Sequence, residues 1–291
     1  MAAKFGPSGN SDIFYEQGYK SSVEMPGWLK AMGLDAYEYQ CSKGIKITEE
    51  TAVKIGENAK EHGIYLSVHA PYYINLASDE PEKRENSKRY ILSTMRVARW
   101  MGASRVVVHP GSCSKMSREK ALELAKKTLM DTILEADRLE LGDIHICPET
   151  LGKINQLGTL EEVLELCRLD ERLIPTIDFG HIHARGLGCL VDKKDFVKVF
   201  DAVEKVLGMD RLKKLHVHFS RVEFTTGGEK KHWNLSDTQY GPEFEPIAEI
   251  LYEKNLSPVI ICESRGTMAE DALELKKIYM KVGRQKRDAE H

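Results

Sequence analysis

Eight short apolar runs punctuate the chain: Lys4–Pro7, Ala36–Cys41, Tyr65–Ala70, Arg105–His109, Ile144–Glu149, Ile174–Phe179, Leu212–Phe219 and Pro258–Glu263. Between them lie amphipathic stretches such as ITEETAVKIGENAKEHG, SREKALELAKKTLMDTILEADRLELG and MAEDALELKKIYMKVG, whose apolar residues recur at helical spacing. Thr48 with Thr51 and Ser117 with Lys120 mark helix starts, and Gly63, Gly102 and Gly142 mark helix ends. Eight strand–helix alternations predict an α/β fold of the (β/α)8 TIM-barrel type rather than an open sheet, which usually has fewer strands. KFGPSGN, the first run, is short and glycine-rich. No linker or low-complexity tract divides the chain, so residues 1–291 are expected to form a single barrel domain, with the basic tail fraying from about residue 282.

Hydrophobic residues make up 42% of the chain, enough for a sizeable core. Charged residues make up 30%, evenly mixed, with a net charge of −3. That balance exerts no global pull on nucleic acid, so any DNA binding needs a locally basic face. No run approaches the roughly 18 apolar residues of a membrane span, and the N-terminus lacks the apolar stretch of a signal peptide. The six cysteines are scattered without a CxxC pair, as expected of reduced thiols in a cytoplasmic protein. Nothing implies a membrane or an obligate protein partner.

The chemistry gathers at the C-terminal ends of the runs. YLSVHAP ends in His69, RVVVHPG in His109, HICPET in Glu149, IPTIDFGH in Asp178 and His181, KLHVHFS in His216 and His218, and PVIICES in Glu263. Imidazoles and carboxylates are costly to bury unless paired or bound to a metal. In a barrel of this type the functional residues sit at that end of the strands, so these groups converge on one polynuclear metal site. Mixed nitrogen and oxygen donors favour zinc, two or three ions, with manganese or another divalent ion as the substitute. Residues two apart share a face, which sets His216 with His218 and Asp178 with Thr176 toward the lumen. His145 starts its strand at the wrong end, while His62, on a helix, and His291, in the tail, are incidental. His183 follows His181 by two and is open to a supporting role. The basic residues Arg185, Arg221, Lys230, Lys231 and Arg265 follow strands on the same side, where they could meet phosphates or simply be solvated.

The blocks HAPYYINL (69–76), VVHPG (107–111), CPET (147–150), DFGH (178–181), LHVHFS (215–220) and CES (262–264) together resemble the endonuclease IV family of apurinic/apyrimidinic endonucleases, within the xylose isomerase-like barrels. The resemblance implies a trinuclear zinc site. One ion would be held by His69, His109 and Glu149, and a second by Glu149, Asp178, His216 and Glu263. A third would take His181 with an Asp-x-His pair on a later loop. That pair is not intact: GGEKKHWN places His232 correctly but Lys230 where the aspartate belongs, leaving Glu229, His218 or a water to substitute. The loop after the second strand, QCSKGIK, is short and carries only Lys43 and Lys46, and the family's histidine-bearing first strand is missing. Tyr72 matches the tyrosine that the family sets beside the abasic site, with Tyr73 next to it. The implied activity is hydrolysis of the DNA backbone 5′ to abasic sites, with Glu149 and Glu263 as catalytic residues and Tyr72, Tyr73, Arg185, Arg221, Lys230 and Arg265 contacting the substrate.

Two other readings compete. A single-metal sugar isomerase or epimerase of the same barrel class would need only Glu149, Asp178, His216 and Glu263, leaving His69 and His109 without a task. A metal-stabilised binding protein derived from the nuclease fold would fit the altered third site and the shortened loop.

Overall fold

The computed structural model describes residues 2–289. All eight expected runs contain strands: β1 (Lys4–Pro7), β2 (Ala36–Gln40), β3 (Tyr65–His69), β4 (Arg105–Val108), β5 (His145–Pro148), β6 (Thr176–Asp178), β7 (His216–Phe219) and, last in the chain, β10 (Val259–Cys262). They pair in parallel as β1-β10-β7-β6 and β2-β3-β4-β5. The bridges Ser8↔Glu38 and Glu149↔Thr176 join the two sheets into a closed (β/α)8 barrel. Gly6 makes the first strand workable: a Cβ there would lie 1.8 Å from the Ala36 carbonyl oxygen, so β1 can lie this close to β2 only without a side chain.

Around the barrel run α1 (Asp12–Glu16), α2 (Met25–Met32), α3 (Glu49–His62), α4 (Pro81–Met101), α5 (Arg118–Arg138), α6 (Leu160–Cys167), α7 (Phe179–Arg185), α8 (Lys193–Leu207), α9 (Met209–Lys213), α10 (Glu245–Glu253) and α11 (Met268–Ala289). The Thr48 and Ser117 side chains accept from the Thr51 and Lys120 backbone N–H groups, capping α3 and α5. Gly63 and Gly102 close α3 and α4 in the left-handed conformation. Three expectations shift. Helix α5 stops at Arg138, and Glu140 rather than Gly142 takes the positive φ. Leu212 belongs to α9, so β7 begins only at His216. The tail expected to fray continues α11 to Ala289, because Val282 is buried in the core and Lys286 pairs with Glu253 at 2.6 Å. His291 lies outside the described residues.

Alternation along each strand divides the interior. Val68, Val106, Val108, Ile146, Ile177, Val217 and Ile260 point outward into the main core beneath the helices. The lumen holds two small apolar plugs, Ala36 with Val259 and Ile261, and Val107 with Cys147 and Ile174. The remaining lumen positions on β2, β3, β5, β6 and β7 are polar: Glu38, Ser67, His69, Glu149, Asp178, His216 and His218 are all buried. A hairpin, β8 (Arg221–Thr225) with β9 (Gly228–Trp233), rises from the end of β7. No described helix is long and apolar enough to cross a membrane.

Candidate metal centre

Strand register sets the floor of the site. Asp178 on β6 lies beside His218 on β7, and His218 beside Ile261 on β10, so Glu263 emerges just above that layer. Four sets of ligating atoms follow, each with all members within 4.8 Å of one another: His69, His109 and Glu149; Glu149, Asp178, His218 and Glu263; His181, His232 and Glu263; and, a layer deeper, Glu38, His216 and His218. Glu149 joins the first two sets through different oxygens. Its Oε2 lies 3.3 Å from His69 Nε2 and 3.1 Å from His109 Nε2. Its Oε1 lies 3.2 Å from His218 Nδ1.

Hydrogen bonds behind the rings decide which nitrogens face inward. His69 Nδ1 donates to the Ala70 carbonyl at 2.7 Å, and His181 Nδ1 to the Thr150 carbonyl at 2.9 Å. His232 Nδ1 shares a hydrogen bond with Ser220 Oγ at 2.9 Å. All three turn Nε2 into the mouth, and for His69 and His181 the N–H on Nδ1 is the tautomer expected of metal-binding imidazoles. The Ser8 hydroxyl donates to Glu263 Oε1 at 3.1 Å.

Glu229 and His232 reach the mouth together through a local irregularity. Residues three apart on a regular strand face opposite sides. Here β9 carries one extra residue: Glu223 pairs with Lys231 and Phe224 with Glu229, leaving Lys230 unopposed in a bulge. The bulge restores parity, and the Glu229 oxygens stand 3.6 Å from the Nε2 atoms of both His181 and His232. Gly152 makes room, since a Cβ there would lie 2.6 Å from Glu229 Cβ. Glu229 therefore stands beside both histidines at the mouth.

The charges are tightly linked. Burial alone would raise the Glu149 carboxyl, but the His218 and His109 imidazoles hold it well below the usual range. Burial likewise opposes ionisation of Glu229, and His181 and His232 bring it down to about 2. For His69 burial disfavours the cation, yet Glu149 lifts it to about 9. Asp178 goes the other way: burial raises it to about 6, only partly opposed by His181. Its Oδ1 accepts from the His181 backbone N–H at 2.7 Å, while Oδ2 is buried without a hydrogen-bond partner. A buried carboxylate oxygen left bare amid imidazoles suits a cation. Donor chemistry and this orphaned atom both fit a cluster of divalent ions.

The structure sets one expected ligand, His216, in a different group, with Glu38 and His218. His216 shares a face with His218 but lies a layer deeper, opposite Thr176 and Val259. Its Nε2 is 2.9 Å from Glu38 Oε2, and burial pushes it down to about 4 despite that partner. His218 takes the expected place beside Asp178 and Glu263. Glu38 was missed, although alternation in AYEYQ carried the signal: Tyr37 faces the helices, so Glu38 faces the lumen. His183 lies away from the ligand sets; its Nδ1 accepts from the Leu190 backbone N–H, and its ring meets Phe224 edge-on. His145 Nδ1 donates to the Arg172 carbonyl at the opposite barrel end.

The expected substrate cations are mostly committed elsewhere. Arg185 donates to the carbonyls of Leu151, Lys153, Ile154 and Gln156, spending all four terminal N–H groups on the loop after β5. Arg221 donates to the carbonyls of Asp237 and Tyr240 and to both oxygens of Glu243. Lys230 pairs with Glu223 at 2.5 Å, Lys231 lies 3.7 Å above the Trp233 ring, and Arg265 is exposed outside the cleft. A cleft of about 270 Å³ opens over the ligand sets, lined by Gln40, Tyr72, Lys153 and Gln156 besides the histidines. Lys153 has no ion-pair partner among the described residues. Tyr72 is 60% exposed on the rim, with Tyr73 edge-on to it and to Tyr90. Larger clefts of about 460 and 620 Å³ on the helical exterior contain no histidine.

Residues 26–279 match a family described as xylose isomerase-like TIM barrel. An uncharacterized protein of Methanocaldococcus jannaschii is 36% identical over 251 residues, covering 86% of this chain and 89% of the relative. A probable endonuclease 4 of Listeria monocytogenes is 29% identical over 243 residues, covering 80% and 78%. Among solved structures, a D-tagatose 3-epimerase-like protein superposes with a TM-score of 0.70 at 22% identity, covering 87% of this chain and 91% of that one. Endonuclease IV of Thermus thermophilus superposes with a TM-score of 0.64 at 20% identity, covering 91% and 94%. At those identities the superpositions establish the fold.

Proposed function

From the premise that this chain belongs to the xylose isomerase-like TIM barrel family, as an outlying relative of endonuclease IV, we propose that it is a metal-dependent phosphodiesterase cutting the DNA backbone 5′ to abasic sites. One observation carries this reading. A single-ion site would be complete with Glu149, Asp178, His218 and Glu263, yet His69 and His109 also converge on the second oxygen of Glu149, and His181 and His232 form a further group with Glu263, with Glu229 3.6 Å from both rings. Zinc is the ion best suited to these donors, with manganese an alternative. The ions would be held by His69, His109 and Glu149, by the four-residue set, and by His181 and His232 with Glu229. Bound there, such ions engage phosphate oxygens, activate water near neutral pH and neutralise a leaving oxygen.

The protein's own groups prepare this chemistry. Glu149 would help hold both central ions, since its Oε2 faces His69 and His109 and its Oε1 faces His218. Ser8 orients Glu263, the carboxylate closest to the open cleft in the central set. Tyr72 offers an aromatic face at the rim, where a sugar lacking its base can enter at low unstacking cost. Lys153, rather than Arg185 or Arg221, supplies the cation for a flanking phosphate, on a loop that Arg185 holds rigid.

Elemental analysis and a cleavage assay test the proposal together. Two or three ions per chain and incision of a duplex containing one abasic analogue, after loading with zinc or manganese, are expected. The complete four-residue set favours the second reading, a single-metal sugar epimerase; one ion per chain with the abasic duplex left intact would establish that reading instead.

A further inference from the structure

One layer below the mouth, Glu38 is a fully buried carboxylate set with His216 and His218, apart from the three ligand sets that open to the cleft. Burying an unpaired carboxylate is costly, and Glu38 is accordingly surrounded. Oε2 accepts from Ser67 Oγ at 2.8 Å and from His216 Nε2 at 2.9 Å. The direction of the second bond is set from behind: His216 Nδ1 accepts from Arg105 Nη1 at 3.3 Å, so the hydrogen resides on Nε2. Oε1 accepts from Gln40 Nε2 at 3.4 Å and stands 3.1 Å from His218 Nε2. That imidazole nitrogen has no other partner, and its angle to Glu38 falls short of a hydrogen bond. On the far edge of the same ring, His218 Nδ1 donates to Glu149 Oε1 at 3.2 Å and lies 3.4 Å from Glu263 Oε1.

We propose that Glu38 is a positioning residue that selects His218 over His216 as the metal-facing histidine of β7. One oxygen ties His216 down as a hydrogen-bond donor within the lumen. The other stands 3.1 Å from His218 Nε2, placed to accept that N–H once an ion takes Nδ1 from Glu149. The two histidines share a strand, a face and a spacing of two residues, so alternation alone cannot distinguish them; a carboxylate lodged between them can. The inference rests on the metal reading of the mouth. A carboxylate placed behind a metal-binding imidazole typically contributes about 10–100-fold in affinity.

Glu38→Gln is the direct test, because an amide offers one acceptor where the carboxylate offers two, and its NH2 would face an imidazole N–H. Chelator competition on the purified protein should show one ion weakened about 10–100-fold, and the cobalt-loaded variant should show altered visible absorption. His216→Gln should keep both the affinity and the cobalt spectrum of the wild type. A folded Glu38→Gln protein with wild-type affinity and spectrum would overturn the assignment, as would loss of an ion in His216→Gln. Should Glu38→Gln fail to fold, Glu38→Asp keeps the charge but withdraws the oxygens, and it should weaken the same ion; unchanged affinity there would equally overturn the proposal. A wild-type chain that takes up no divalent ion defeats the metal reading itself, whereas equal affinities in wild type and variants defeat only the role of Glu38.

Discussion

The mouth is furnished by two regions that place their side chains differently. Glu149, Asp178 and His218 stand on barrel strands, locked by parallel register, with side chains at most 1% exposed. Glu229 and His232 stand on the β8–β9 hairpin, which is held to the loop after β5 by a bridge between Lys153 and Gly228 rather than by the barrel ladder, at 16% and 23%. In the first region strand alternation and depth do all the placing. In the second a single extra residue, Lys230, reverses the parity that would otherwise send Glu229 and His232 to opposite faces. A ligand set built on barrel strands tolerates little sequence drift, whereas one on a hairpin can be rebuilt from a neighbouring acid and a bulge.

The sharpest way to break the comparison is to remove the residue on which the barrel sets depend. Glu149→Gln should lower turnover on the order of a thousandfold and reduce the ion count by more than one, measured by single-turnover cleavage and elemental analysis. Deleting Lys230 should act on the hairpin alone. A regular β9 would turn Glu229 away, one ion should be lost, and activity should fall about a hundredfold, while Lys230→Met, which keeps the bulge, should remain near wild type in both assays. Lys153→Met probes the rim: binding to abasic duplex should weaken, and the slope of log affinity against log salt should drop by about one, with no change in ion content. Lys230→Met should leave that slope unaltered.

The smallest effect expected lies outside the mouth and sharpens the comparison by showing how the rim loop is anchored. Glu162 accepts from Arg118 and from the Gly158 and Thr159 backbone N–H groups, capping α6. Burial opposes its charge, but the Arg118 guanidinium prevails and holds the carboxyl below the ordinary range. A depressed carboxyl contributes stability that is fully present above its unfolded value, about 4.3, and lost as the pH falls through the folded one. Glu162→Gln should therefore cost about 1–2 kcal/mol at neutral pH. The gap to wild type should narrow steadily below about pH 4, as read by urea denaturation across pH.

Much of this molecule was legible from its chain. The eight strands, the helix caps at Thr48 and Ser117, and the convergence of His69, His109, Glu149, Asp178, His181, His218 and Glu263 all follow from apolar periodicity and from the cost of burying polar groups at strand ends. The partners of Arg185 and Arg221 are not legible in the sequence: both stand on loops at the mouth, where carbonyls need donors, and both donate to such carbonyls. Glu38 was passed over because it sits in mid-strand, where a carboxylate has no reason to be unless something beside it in space requires one.

Period and composition, acting along the chain, determined the barrel, the end at which polar groups gather and the donor types found there. Depth and pairing across the chain were decided only by tertiary structure: which of two equivalent histidines on β7 reaches the mouth, which acid of the hairpin stands beside His181 and His232, and which cation at the cleft has no ion-pair partner among the described residues. The division has a physical cause. Alternation is local and repeats every two residues, so it assigns a face but not a layer, and hydrogen bonds between segments far apart in sequence settle the layer.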